Sequence, residues 1–266
     1  MDKADSELAT PLSLISVIVP AFNEEQNIPN CVQELADVMK KSGYNSEIIV
    51  VNDGSTDKTL EVAQSMQMKC RSLRVLVLRS NCGKAVALRE GVRASKGDAV
   101  AFFDADMQYD ASDLVKLVNL ANDGANVVTG RRDYNSYGQT RTAFSKIYNI
   151  IMKLVFRVAI NDSNCGLKVL RRRAANPDSL FDYGLAMMMP LLRLRGFRLS
   201  EAWVCLRERE AGESKYFTDG SFLGGWKNIR DISYHSGMLL GLLASLPSQL
   251  LGSERRKELL TKVSLK

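Results

Sequence analysis

Short, nearly continuous apolar runs alternate with amphipathic segments through the first half of the chain, and this alternation constrains the fold more than any other feature. "LISVIV" (14–19) is rich in β-branched residues and ends at Pro20, the composition of a buried strand. Ile28, Cys31, Val32, Leu35, Val38 and Met39 then recur at helical spacing, and Gly43 is placed to close that helix. "EIIVV" (47–51) predicts the next strand, followed by a helix carrying Leu60, Ala63 and Met66. "LRVLVL" (73–78), a helix over 84–95, "DAVAFF" (98–103), a helix over 112–122 and "NVVT" (126–129) continue the series. Strands that are apolar throughout and separated by helices predict an α/β fold: a mostly parallel sheet with helices on both faces.

In such sheets ligands bind beyond the carboxyl ends of the strands. Those ends carry "PAFNE", "NDGS", "SNCGK" and "DADMQ" in turn, so four polar clusters are expected along one edge. "FFDADMQYD" (102–110) sets Asp104 and Asp106 one residue apart at the mouth of an apolar strand. Two carboxylates so placed repel, and one tends to hold a proton unless a cation relieves them. With Gln108 they offer hard oxygen ligands suited to Mg²⁺ or Mn²⁺ shared with substrate phosphates. The blander reading is that Asp106 caps the following turn. No G-x-G-x-x-G follows the first strand and no G-x-x-x-x-G-K-[ST] occurs, which weighs against dehydrogenase and P-loop readings.

The 266 residues carry a net charge of +6, which points to an acidic partner such as phosphates or an anionic membrane surface. Between Arg131 and Arg173 stand ten Lys/Arg against two Asp, a local +8. A nucleic-acid-binding protein is one rival, but no aromatic-interleaved RNA motif is visible and the acidic edge would repel a backbone. No nucleic acid is therefore expected. Cys31, Cys70, Cys82, Cys165 and Cys205 are odd in number and scattered, which fits reduced thiols in a cytoplasmic protein. Residues 1–13, "MDKADSELATPLS", are polar and acidic; they read as a flexible N-terminus with no signal peptide visible.

"VIVPAFNEEQNI", "VVNDGSTDKT", "NCGKAVALREGVRASKGDAVAFFDADMQ" and "VVTGRR" together resemble the family 2 glycosyltransferases, which share the Rossmann-like, nucleotide-sugar-binding GT-A fold. "DSNCGLKVLRR" and "REREAGESK" are similar to the branch that transfers a hexose to a polyprenyl phosphate, the dolichol-phosphate mannose and glucose synthases and their undecaprenyl relatives. The resemblance runs in order from about residue 14 to 217. It implies that Pro20, Phe22 and Glu24, with Val51 and Asp53, hold the base and ribose of the donor. It further implies that Asp104, Asp106 and Gln108 bind the metal bridging the diphosphate, with Ala105 in the same donor set. Arg132, Lys168, Arg209 and Lys215 would meet donor and acceptor phosphates. Lys84 reaches phosphate or is a surface lysine. Asp106, Arg132 and Lys215 are the residues on which the resemblance rests catalysis. Three departures stand out: Phe22 where tyrosine is common, Met187 where relatives often carry glutamate, and "EAWV" (201–204) in place of "EVPV".

The reaction implied is an inverting, metal-dependent hexose transfer from a GDP-mannose- or UDP-glucose-type donor to a polyprenyl phosphate. A phosphate monoester with a second pKa of about 6 is already largely ionised at neutral pH, so no strong base is required. The only histidine, His235, lies far from the motifs. Base and sugar stay open, since the donor motifs are shared by guanosine and uridine diphosphate users. The alternatives are an enzyme of the same fold with a soluble acceptor, and a non-catalytic nucleotide-sugar-binding protein. Intact Asp104, Asp106 and Lys215 argue against the latter.

Within 143–160, Lys146, Asn149, Lys153 and Arg157 fall on one helical stripe, while 13 of the 18 residues are apolar. This predicts either a helix in the headgroup region of a membrane or a core helix with its stripe in water; the lipid acceptor favours the membrane. Residues 232–253 are uncharged but interrupted by Ser, Gln, Gly and Pro247, and are not expected to span a bilayer. The expected organisation is a catalytic domain over 14–230 and an apolar, then basic, amphipathic helical extension over 231–266, peripherally attached at the cytosolic membrane face.

Overall fold

The computed structural model describes residues 10–133, 139–181 and 184–207. The chain opens with β1 (Leu14–Ala21), α1 (Ile28–Ser42), β2 (Asn45–Asn52), α2 (Thr59–Lys69) and β3 (Leu73–Val77). It continues through α3 (Lys84–Ala94), β4 (Ala99–Phe102), α4 (Ala111–Asn122) and β5 (Val127–Arg132). Each matches a run or periodic segment legible in the sequence, with ends shifted by a few residues. Gly43 closes α1 in the left-handed region at φ 79°, where lysine or serine would be strained. Asp110 caps α4, its carboxylate accepting the Ser112 amide at 2.8 Å.

The second half departs from simple alternation. The chain runs through α5 (Gln139–Phe156), β6 (Lys168–Arg171), α6 (Met188–Leu194) and β7 (Leu199–Val204). The seven strands form one sheet in the order β3-β2-β1-β4-β6-β5-β7. β1 to β4, and β5 with β7, pair parallel. β6 is inserted between β4 and β5 and runs antiparallel to both. Its first residue, Lys168, is thus registered with Phe102 and with Thr129. Reversal puts the start of β6, not its end, at the edge where β4 and β5 finish.

Ile15, Val17, Ile18, Val19, Ile48, Ile49 and Val50 have no solvent exposure, as expected for strands covered on both faces. Each such side chain contributes about 1.5–3 kcal/mol on burial. α5 ends at Phe156 rather than at 160, because Arg157 takes φ 52° and turns the chain. Val158 and Ile160 are then buried as irregular chain. Among the described residues no helix is long and apolar enough to cross a membrane.

Candidate active site

The loops after β1 and β2 are laced together. The Asn23 amide donates to Ser55 Oγ at 3.0 Å, and Asn23 Oδ1 accepts the Thr56 amide at 2.9 Å. The Glu24 amide donates to Thr59 Oγ1 at 2.8 Å, and Glu25 accepts the Lys58 amide at 2.8 Å. Glu24 Oε2 accepts from Asn27 Nδ2 at 2.7 Å. Pro20 and Phe22 are half-buried beside this lacing, and Val51 is buried under it. Asp53, also buried, accepts the amides of Cys82 and Gly83, one on each oxygen, both at 2.8 Å. Its carboxylate therefore fixes the loop that starts α3, a role the sequence alone does not display.

β4 delivers the acidic pair. The Phe103 amide donates to the Ile18 carbonyl at 3.0 Å, so Asp104 is the first residue to clear the sheet. Asp104 Oδ1 meets Lys84 Nζ at 2.5 Å. Asp106 is 9% exposed, and its Oδ1 accepts the Gln108 amide at 3.3 Å. Asp106 thus caps the turn of its own loop, as the blander reading has it, while the cap of α4 is Asp110. Between them Ala105 is buried, and Met107 holds φ 58°. A left-handed methionine is rare and concentrates at functional sites, at a cost of about 1–3 kcal/mol.

Residues outside the expected set brace this edge. A Cβ on Gly166 would lie 2.4 Å from Asp104 Oδ2, so any larger residue in the loop before β6 would push that carboxylate aside. The Gly166 amide donates to the buried Tyr109 hydroxyl at 3.1 Å. Arg207 binds Glu34 at 2.8 Å and Asp110 at 2.5 Å, while its amide donates to the Gln108 carbonyl at 2.8 Å. Hydrogen bonds donated to Glu34, then to Asp110, hold the Arg207 guanidinium above its ordinary pKa. The signal for these contacts was partial: "DSNCG" and "RERE" are visible as polar motifs, but their partners are far off in the chain.

The cations differ in kind. Lys168 is buried and its ammonium donates to the Cys165 carbonyl. Desolvation brings its pKa down to about 8, against the opposing fields of Cys165 and Asp162. Arg132 is held by Asp162 in a bidentate pair, Nε to Oδ2 at 2.7 Å and Nη2 to Oδ1 at 2.9 Å. Burial would lower the Arg132 pKa, but the Asp162 hydrogen bonds and charge overcome it and hold the guanidinium above its usual value. A small recess of about 70 Å³ lies between Lys84 and Lys168, walled by Phe102, Gly166, Leu185 and Met188. Met187 is buried in the turn before α6.

A larger cleft of about 370 Å³ opens at the ends of β5 and β7, lined by Arg131, Lys146, Asn149, Lys153, Asn161 and Trp203. Arg131 stacks on the Trp203 ring at 4.1 Å, a cation–π contact. α5 buries Met152 and Phe156 and exposes Lys146, Lys153, Ile150 (54%) and Leu154 (75%). Asn149 leaves the expected solvent stripe: it is buried, and its Oδ1 accepts the Ser163 amide at 3.1 Å.

The donor set at the edge fits a divalent cation that completes its shell with phosphate and water. Two carboxylates stand two residues apart, and the Lys84 ammonium already lies against one of them. Among the described residues no group of three or more His, Cys, Asp or Glu could enclose an ion without substrate. The structure thus brings Asp53, Lys84, Asp104, Asp106, Gln108 and Lys168 to one edge of the sheet, with Arg132 tied inward beside them. Arg209, Lys215, His235 and the 231–266 extension lie outside the described residues.

A family model described as "Glycosyl transferase family 2" matches residues 16–177. An undecaprenyl-phosphate 4-deoxy-4-formamido-L-arabinose transferase of Pseudomonas savastanoi pv. phaseolicola is 31% identical over 208 residues, 77% of this chain and 61% of that protein. A protein of the same name from Salmonella paratyphi B is 28% identical over 210 residues, 78% of this chain and 64% of that protein. The chain therefore spans less than two thirds of the length of these relatives. Mannosyl-3-phosphoglycerate synthase from Rubrobacter xylanophilus superposes with a TM-score of 0.60 at 17% identity, covering 93% of this chain and 82% of that one. Glucosyl-3-phosphoglycerate synthase from Mycobacterium tuberculosis, solved with Mn²⁺, uridine diphosphate and phosphoglyceric acid, gives 0.57 at 19% identity, covering 78% and 74%. At such identities the likeness is one of fold, and that fold is GT-A.

Proposed function

The chain belongs to glycosyl transferase family 2, and on that footing we propose that it moves a sugar from a nucleoside-diphosphate donor to a polyprenyl phosphate. The observation that carries the reading is the convergence of Asp104, Asp106, Lys84 and Lys168 on one sheet edge. Two carboxylates can share a divalent cation with a diphosphate, and two ammonium groups stand beside them for phosphate oxygens. The acceptor class is supported by relatives whose name couples undecaprenyl phosphate with a modified arabinose.

In this reading Pro20, Phe22, Glu24, Val51 and Asp53 flank the base and ribose. Asp104 and Asp106, with Gln108, hold Mg²⁺ or Mn²⁺, which when bound supplies positive charge beside the diphosphate. Lys84 and Lys168 face the phosphates from either side of the recess, and Ala105 keeps the floor between the aspartates small. An acceptor phosphate oxygen forms its bond to the anomeric carbon as the bond to the diphosphate oxygen breaks, so configuration inverts. The ionised acceptor brings no proton that must be removed. Arg132, to which the resemblance gave a catalytic, phosphate-meeting role, is bound in a bidentate pair by Asp162, and we assign it instead to holding the β5 end in place. Arg209 and Lys215, which follow Arg207 in the chain, are assigned to the acceptor phosphate. We assign 14–230 as the catalytic domain.

The acceptor enters, in this proposal, along α5. Exposed Ile150, Leu154 and Trp203 interleave with Lys146, Lys153 and Arg131, the composition of a surface that rests on anionic lipid. This supports peripheral attachment to a membrane, and the cytosolic face is part of the proposal.

The test is transfer from radiolabelled GDP- and UDP-sugars, with 4-deoxy-4-formamido-L-arabinose linked to either nucleotide among them, into an organic-extractable product. The full chain is supplied with Mn²⁺ and polyprenyl phosphate, with a no-lipid control. Lipid-dependent, chelator-sensitive label supports the proposal. Donor turnover with no lipid-borne label indicates a soluble acceptor, and donor binding with no turnover indicates a binding protein.

A further inference from the structure

Lys84 is the first residue of α3, and its ammonium lies against Asp104 Oδ1 at 2.5 Å. The backbone that delivers it is fixed, because Asp53 accepts the amides of Cys82 and Gly83 immediately before it. Its side chain is 29% exposed and borders the recess shared with Lys168. Anchored backbone and partly exposed side chain together mean that the ammonium can change partners by rotation about its own stem, with no movement of α3.

A carboxylate oxygen gripped by an ammonium is a poorer ligand for a divalent cation, and the ammonium itself repels that cation at short range. Metal arriving alone must displace Lys84 and leave it without this partner, beside the buried cation Lys168. Metal arriving with a diphosphate offers the displaced ammonium a new anion within the length of its side chain.

We propose that Lys84 is the internal counter-ion of the metal site, holding Asp104 until the donor comes and passing to the donor diphosphate as the metal takes its place. The proposal rests on the reading of Asp104 and Asp106 as metal ligands. It makes metal and nucleoside diphosphate bind with positive coupling, equal in both directions by linkage. It also links the two ends of the donor site, since Asp53 at the base end positions the loop from which Lys84 works.

The experiment is a Mn²⁺ titration followed by electron paramagnetic resonance, with and without saturating GDP or UDP. Wild type is compared with Lys84→Met, Lys84→Arg and Asp104→Asn, each checked by thermal melting. Wild type should bind Mn²⁺ weakly alone and about tenfold or more tightly with nucleotide. Lys84→Met should bind Mn²⁺ alone about tenfold more tightly than wild type and lose the part of the coupling that Lys84 supplies, keeping what direct phosphate ligation gives. Lys84→Arg, which keeps the charge, should retain the coupling. If Lys84→Met binds Mn²⁺ no more tightly than wild type while Asp104→Asn abolishes binding, the counter-ion role is overturned and the metal site stands. If Asp104→Asn leaves Mn²⁺ binding intact, both fall.

Discussion

A Cβ on Gly166 would stand 2.4 Å from Oδ2 of Asp104, closer than side-chain carbons come to any neighbour. Gly166 is held there by the hydrogen bond its amide donates to the Tyr109 hydroxyl, so the carboxylate rather than the loop gives way. We predict that Gly166→Ala lowers kcat/KM by about 100-fold, as expected for a ligand displaced by about 1 Å. The melting temperature should move by less than about 4 °C. Transfer assays and a thermal melt on one preparation check both, and near-wild-type transfer would show that the Asp104 position is not critical.

Asp106→Ala should reduce turnover by about 1,000-fold or more, the scale of removing a principal electrostatic group from an active site. Its side chain bonds to the Gln108 amide, so Asp106→Asn, which keeps an acceptor there, separates loop integrity from charge. Both variants are expected to unfold cooperatively and both to fail in transfer.

The Arg132–Asp162 pair predicts stability more than chemistry. Side-chain exposure is 10% for Arg132 and 0% for Asp162. Asp162→Ala strands a buried guanidinium and should cost about 3–5 kcal/mol in urea unfolding. The double variant Arg132→Met with Asp162→Leu should recover most of that loss. No recovery would mean that Arg132 is needed for something other than its partner.

Lys168 sets a pH dependence. Its folded pKa of about 8 is produced by burial, so below that pH it is a cation able to hold phosphate and above it is neutral. kcat/KM should fall on the alkaline side with an apparent pKa near 8, and Lys168→Arg, always charged, should flatten that limb. The stability term has the opposite sign. An unfolded lysine titrates near 10.4, so between about 8 and 10.4 the unfolded chain holds a proton that the folded one has released. The contribution of this group to stability therefore rises with pH across that window and is lost as pH falls through the folded value.

Membrane attachment is tested by flotation with anionic liposomes. Lys146 and Lys153 are both exposed on α5, and each lysine near an anionic surface contributes about 1 kcal/mol. Lys146→Gln with Lys153→Gln should weaken association on the order of 30-fold. A wild-type chain that stays at the bottom of the gradient would remove the attachment altogether.

The parallel half of the fold was legible because β1 to β5 are apolar runs separated by helical periods, a pattern that records burial directly. β6 was not, because its run is "KVLR": two of its four residues are charged, yet Lys168 and Arg171 are 5% and 6% exposed. Nor does periodicity record the direction in which a strand runs. In the site, Asp104 and Asp106 were legible from local spacing. Arg132 was visible as a cation, but its partner Asp162 lies thirty positions away, and only the fold brings them together. Gly166 carries no side chain to advertise that Asp104 needs the space above it.

The inserted position of β6 has a consequence for how the molecule is made. A chain synthesised through residue 165 holds β4 and β5 but not the strand between them. Until 168–171 emerge, the facing edges of Ala99–Phe102 and Val127–Thr129 stay unpaired, the kind of exposed edge that invites mispairing. Closing the gap relies on contacts distant in sequence, which form slowly. The same closure carries Lys168 to the acidic edge, so joining β5 to the parallel half of the sheet and completing this cluster are a single event, and a nascent chain that stops short of β6 exposes a sticky intermediate rather than a working half-enzyme.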